Sequence, residues 1–212
     1  MIKRFLIVLS GFAILISSCN FESRDPYVRA LKQQRFSKDS FYKVADQSPF
    51  DTKGKRELIE LKYYEPDSTY RVVAKLHVLA HPDSFQMHVS NGRDQDYFKL
   101  GTISFHVKGH DAKLNVYQSA KMMQDSSYRS DLFIPFTDET SGKETYSGGR
   151  FLELTRIKGS DNVLLDFNYC YNPYCAYNHD YSCPIPPEEN HLNFKVEAGE
   201  KTYKLGDVTL FK

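Results

Sequence analysis

The residues best suited to chemistry lie in two stretches of the C-terminal third. The first, Phe136 to Phe151, is dense in hydroxyls and glycine and ends in Arg150, which leads into an apolar run. Glycine admits positive φ and close backbone approach. Exposed N–H groups of such a loop can hold an anion, and an arginine can grip a carboxylate through two parallel bonds. Its candidate ligand contacts are Thr140, Ser141, Glu144, Tyr146 and Arg150. The plainer alternative is a long hairpin loop whose Thr and Ser side chains cap turns.

The second stretch, Asp166 to Asn190, contains five tyrosines and four prolines and has neither helix nor strand period. Functional groups collect on loops held by rigid scaffolds. Tyrosine and asparagine together suit a sugar, a peptide or another polar ligand with a flat face. The candidates are Asp166, Asn168, Asn172 and Asn190. The alternative is a structural cover sealing one end of a barrel, with the asparagines satisfying backbone groups. If loops 137–150 and 166–190 face each other, they line one pocket. Should they bring Glu144 and Asp166 to about 5–9 Å, the two carboxylates have the separation of a glycoside-hydrolase pair. A nucleophilic route through Ser141 requires a nearby histidine, and none of the seven histidines sits at a diagnostic spacing. Binding of a polar small molecule, glycan or peptide fragment is therefore the leading expectation. Hydrolysis through Glu144 and Asp166 and docking to another envelope protein are the alternatives.

Four cysteines are present: Cys19, Cys170, Cys175 and Cys183. Cys175 with Cys183 is the best disulfide pair by spacing, closing a small loop. Cys170 with Cys175, or no bridge, remains open. The spacings match no structural zinc pattern, so no metal is expected, and no cofactor either.

The N-terminus sets the compartment. Lys3 and Arg4 precede an apolar run from Phe5 to Ile16, followed by Ser17-Ser18-Cys19. A basic head, a short apolar core and small residues before a cut site make a secretory signal. The run falls short of the roughly 20 residues that span a bilayer. Leu15-Ile16-Ser17-Ser18-Cys19 resembles a lipobox, with its leucine one place further from the cysteine than usual. That resemblance implies a Cys19 carrying acyl chains, palmitate among them, each buried methylene contributing about 0.8 kcal/mol to anchoring. The expected organisation is a signal peptide (1–18), a lipidated tether (19–25), a helical arm (26–47) and a β domain (48–212). The expected location is the cell envelope, on a periplasmic or surface face, with the membrane as partner through the anchor. Removing Lys3 and Arg4 takes the net charge from +1 to −1. That balance argues against a nucleic-acid partner.

These sites need a scaffold. Asp25 and Pro26 suit an N-cap and first helical turn, with Tyr27, Leu31 and Phe41 as a thin apolar stripe expected to pack weakly. Further along, the period drops to two. Strands are expected at Tyr70–Leu79, Phe85–Val89, Tyr97–Val107, Leu114–Tyr117, Leu132–Phe136, Phe151–Thr155, Val163–Phe167, Phe194–Glu197 and Val208–Phe211. Asn91-Gly92 is a strong hairpin signal. Fifteen Tyr and fifteen Phe without Trp add to the strand tendency. The fold class expected is mainly β, an antiparallel barrel or sandwich-like domain with an N-terminal helical arm.

The stretches FTDETSGKETYSGGRFLEL and VLLDFNYCYNPYCAYNHDYSCPIPPEENHLNFKVEAGEK resemble an uncharacterised bacterial family, domain of unknown function 1684. The resemblance extends upstream through Ser48-Pro49, Tyr63-Tyr64 and Tyr70-Arg71-Val72, covering most of 30–201. Its motif falls on Asp138, Thr140, Ser141, Gly142, Glu144, Thr145, Tyr146, Gly149 and Arg150 in the first stretch. In the second it falls on Asp166, Asn168, Asn172, Pro173, Cys175, Cys183, Pro184, Pro187, Asn190, Leu192, Glu200 and Lys201. It implies no activity. Cys170 and His179 lie outside the pattern, so the resemblance favours the Cys175–Cys183 pairing.

Overall fold

The structure is a computed structural model, described here for residues 23, 25–57, 60–125, 130–157 and 159–203. The expected signal peptide, Cys19 and the expected strand at Val208–Phe211 lie outside the described residues.

Helix α1 (Pro26–Val44) begins as its sequence dictates: the Asp25 carboxylate accepts from the Tyr27 N–H at 2.9 Å and Pro26 fills the first turn. A short helix α2 (Thr52–Glu57) follows. Strands β1 (Arg71–His88), β2 (Asp94–Val107), β3 (His110–Ser119), β4 (Asp131–Asp138), β5 (Arg150–Thr155) and β6 (Asn162–Asp166) form one antiparallel sheet in the order β5-β4-β3-β2-β1-β6. A four-residue helix α3 (Ala120–Met123) follows β3, and a two-residue β7 (His191–Leu192) pairs in parallel with β4. The sheet curls until β5 and β6 approach each other, giving the mainly β, nearly closed barrel with an N-terminal helix.

The barrel interior is the alternating face read from the sequence. Ala74 and Leu76 from β1 meet Ile103, Phe105 and Val107 from β2, with Ile134, Leu152 and Leu165 completing the core. Val78, expected on this face, is 45% exposed. It stands where the β1–β2 register slips, between Val78 and Asp83. The slip explains why two expected strands are one. Pro82 cannot donate to a ladder, and a bulge is the place within a strand that tolerates it. Lys108 and Gly109, both at positive φ, form the β2–β3 turn.

Phe194–Glu197 is not a strand. Its backbone groups are taken by side chains: Val196 N–H donates to the Asp138 carboxylate at 2.6 Å, and the Val196 carbonyl accepts from Arg150 at 2.9 Å. The arm also packs more firmly than its thin stripe suggests. Leu31 is fully buried, and polar tips do the rest. Tyr27 donates to Asp166 at 2.9 Å, Arg35 to the Tyr64 carbonyl at 2.8 Å, and Lys38 to Glu200 at 2.7 Å.

Gly101 lies at the β2–β3 register shift, and a Cβ there would stand 2.1 Å from the His77 carbonyl oxygen. Backbone would have to move. Gly101→Ala is expected to lower unfolding stability by about 2 kcal/mol, the range of core overpacking, read from urea midpoints. An unchanged midpoint would refute the close approach.

Candidate functional site

The loop between β4 and β5 folds on its own hydroxyls. The Thr140 carbonyl accepts from the N–H groups of Lys143, Glu144 and Thr145. The Thr140 and Ser141 hydroxyls donate to one oxygen of Asp138, at 2.7 and 3.2 Å. The other Asp138 oxygen takes Arg150 at 3.1 Å and the Val196 N–H. Arg150 then donates to the carbonyls of Val196 and Ala198, the latter at 2.5 Å, and more weakly to Glu200 at 3.4 Å. Arg150 is 1% exposed and Asp138 2%. The guanidinium expected to grip a ligand grips the chain's own C-terminal segment.

A second buried charge lies one step along that segment. Glu200 is wholly buried and accepts from Lys38, from the Asn172 N–H at 3.0 Å, and from the Tyr177 hydroxyl. The Lys38 ammonium also sits over the rings of Tyr42 and Tyr171, at 5.3 and 5.2 Å. Burial, then the Glu200 charge, pushes the hydroxyls of Tyr177 and Tyr42 far above their ordinary range. They stay neutral donors at any physiological pH. Asn172 adds a bond to the Lys201 carbonyl at 2.9 Å.

Asp166 and Asn168 do a different job where β6 ends. Asp166 caps a single 3₁₀ turn by accepting from the Asn168 N–H, and it receives Tyr27 from the arm. Asn168 exchanges two bonds with the Asp67 backbone, at 2.8 and 3.0 Å. Asn190 stands between β3 and β4, where the ladder reduces to the single pair Tyr117↔Phe133. Its amide accepts from Asn115 N–H and donates to the Asn115 and Pro135 carbonyls, at 2.8, 3.0 and 2.8 Å. One side chain thus supplies the bonds the missing ladder would have made.

The two loops therefore meet. Thr140, Ser141 and Arg150 converge on Asp138, Asn172 joins them through Glu200, and Tyr146 reaches Cys175 at 3.8 Å. But residues 196–201 run between them and take up their hydrogen bonds, so the shared space is protein interior. Thr140, Asn172 and Asn190 are all fully buried. Glu144 stands 3.6 Å from Lys195, while Asp166 is engaged by Tyr27, Asn168 and Arg71. Among the described residues no group of three or more His, Cys, Asp or Glu could hold a metal ion.

Sequence reasoning passed over Asp138, Glu200 and Lys38 as site residues. The signal for the first two was present, since both fall on the family motif; nothing in the arm marks Lys38. An open cleft of about 360 Å3 lies instead at the seam between β5 and β6. It is floored by Leu152, Leu154 and Leu164 and edged by Tyr27, Arg71, Glu153, Asp166 and Tyr169. Of the expected site residues, it contains Asp166 alone. Arg71 lies over the Tyr27 ring at 5.0 Å and 3.7 Å from Asp166, with 44% of its side chain exposed.

Fold and site together define a nearly closed antiparallel barrel whose loops are locked by buried ion pairs. The chain belongs to the family described as "Protein of unknown function (DUF1684)", whose pattern matches residues 56–201. It is similar to an uncharacterized protein of Haloarcula marismortui solved by solution NMR. The two are 37% identical with a TM-score of 0.64, over 83% of this chain and 94% of that one. No curated protein matches it.

Removing one partner of a buried pair strands the other charge, at about 3–5 kcal/mol. Arg150→Met is expected to lose that much in urea unfolding. A loss below about 1 kcal/mol would show that Asp138 and the 196–200 carbonyls do not depend on it.

Proposed function

We propose that the protein is a lipid-anchored envelope module that binds a polar small molecule or a glycan or peptide fragment in the seam cleft. The observation that carries this reading is the grouping of a half-exposed guanidinium with two tyrosine rings over an apolar floor, at the seam between β5 and β6. Concave sites with a few convergent polar groups on an apolar lining are the usual form of small-ligand sites. Arg71 supplies a forked hydrogen-bond donor and Tyr169, 39% exposed, a face for a ring. Asp166 steadies Arg71 and Tyr27.

The anchor half of the proposal is supported by the Leu15–Cys19 stretch and the short apolar run before it. No helix among the described residues is long and apolar enough to cross a membrane. Seven residues, Cys19 to Asp25, separate the lipid from α1 and reach at most about 25 Å. Tyr27, an edge of the cleft, would then work close to the bilayer surface.

Two measurements test these statements. In thermal-shift titrations with uronic acids, muropeptide fragments and short acidic peptides, the chain is expected to be stabilised by at least one. Arg71→Ala should abolish that shift while costing about 1 kcal/mol or less, since its ion pair is half-exposed. No shift across the panel, or one that survives in Arg71→Ala, would sink the cleft as the site. Metabolic labelling with radioactive palmitate in the producing cell should mark the chain, and Cys19→Ser should remove the label. Label retained in that variant would end the anchor.

A further inference from the structure

Cys175 and Cys183 are free thiols held face to face on two separately fastened pieces of chain. Cys175 sits in a 3₁₀ turn, Tyr174–Ala176, and its N–H donates to the Cys183 sulfur at 3.2 Å. Cys183 is fastened from the other side. Its N–H donates to the Ser90 hydroxyl at 3.1 Å, its carbonyl accepts from the Ser90 N–H at 2.9 Å, and Pro184 bridges Val89. The Tyr146 hydroxyl, from the β4–β5 loop, donates to the Cys175 sulfur. Both thiols are 7% exposed, so each sulfur lies just beneath the surface.

We propose that Cys175 and Cys183 form a thiol–disulfide exchange site, in which Cys175 is the attacking sulfur and Cys183 the resolving one. The side-chain donors gather on Cys175, while Cys183 receives backbone N–H groups. Hydrogen bonds from Cys183, Tyr146 and Ser90 stabilise the Cys175 thiolate, holding its pKa down to about 7. The Cys183 thiol, spending its proton on Cys175 and partly buried, is pushed well up. Cys170, 2% exposed and bonded to the Ala198 carbonyl, is pushed up to about 11 by burial and stays out of the exchange. Thiolate fraction and access decide which cysteine reacts.

The oxidant is a disulfide, on a small molecule or a protein. The Cys175 thiolate attacks one of its sulfurs. That S–S bond breaks, the electron pair leaves on the second sulfur, and that sulfur takes a proton from solvent. Cys183 then gives up its proton and attacks the Cys175 sulfur. The Cys175–Cys183 bond forms, and the remaining thiolate of the partner leaves and is protonated. Two protein thiols are oxidised and one disulfide is reduced to two thiols. The new bond would tie the aromatic cluster around Tyr42 and Tyr174, under the arm, to the end of the β1–β2 hairpin.

The test uses the full chain, reduced, with glutathione disulfide as the probe. Peptide mapping should find Cys175 joined to Cys183, with Cys170 still a thiol. Cys183→Ser should accumulate a glutathione adduct on Cys175, and Cys175→Ser should react about tenfold more slowly at pH 7. An independent reading needs no variant. In the unaltered chain, iodoacetamide labelling of Cys175 should rise through a midpoint near pH 7, as the thiolate forms, while Cys183 labels only at much higher pH. Equal labelling of both, a bridge to Cys170, or failure to oxidise would overturn the proposal.

Discussion

The pair Asp138–Arg150 is the constraint on which the rest of the structure depends. An ion pair almost wholly out of water survives only if its remaining donors and acceptors are also satisfied. Here they are satisfied by backbone: Asp138 takes Val196 N–H and the hydroxyls of Thr140 and Ser141, and Arg150 takes carbonyls from 196 to 200. The pair thereby fixes the last described segment against the barrel. That segment in turn delivers Glu200 to Lys38, Asn172 and Tyr177. One buried charge pair thus organises the β4–β5 loop, the C-terminal segment and the docking of the helical arm.

The same device recurs wherever the sheet stops short. Asn190 bridges β3 and β4 where their ladder reduces to one pair. Tyr171 exchanges two backbone bonds with Phe151 and covers part of the β5 edge. Asp166 and Asn168 close the end of β6 onto Asp67 and the arm. Buried backbone groups must be paired, and this chain pairs many of them through Asn, Asp and Arg side chains in place of strands. A density of polar residues in loops can therefore mean a wet site or a dry splice, and burial separates the two. At Arg150, Thr140, Asn172 and Asn190 the splice is what is found.

Two features stay within reach of solvent. The seam between β5 and β6 is the gap that closure did not fill, and the arm edges it with Tyr27. The two thiols lie where the tyrosine-rich loop meets the β1–β2 hairpin.

Local pattern determined a good deal of this protein. The start of α1 at Asp25-Pro26, the Asn91-Gly92 hairpin, the core faces of β1 and β2, and the family were all legible, because caps, turns and a period of two are set by near neighbours. The two polar loops were legible as well, through their composition. Tertiary structure alone decided that they would meet dry. Whether Arg150 faces a ligand or the carbonyls of Val196 and Ala198 depends on where a segment some fifty residues downstream comes to rest. It likewise decided that Phe194–Glu197 would be held by side chains, that Lys38 would find Glu200, and that β5 and β6 would stop just short of joining. Each of those outcomes is a long-range choice of partner for a buried polar group, and no local period records which partner burial will bring.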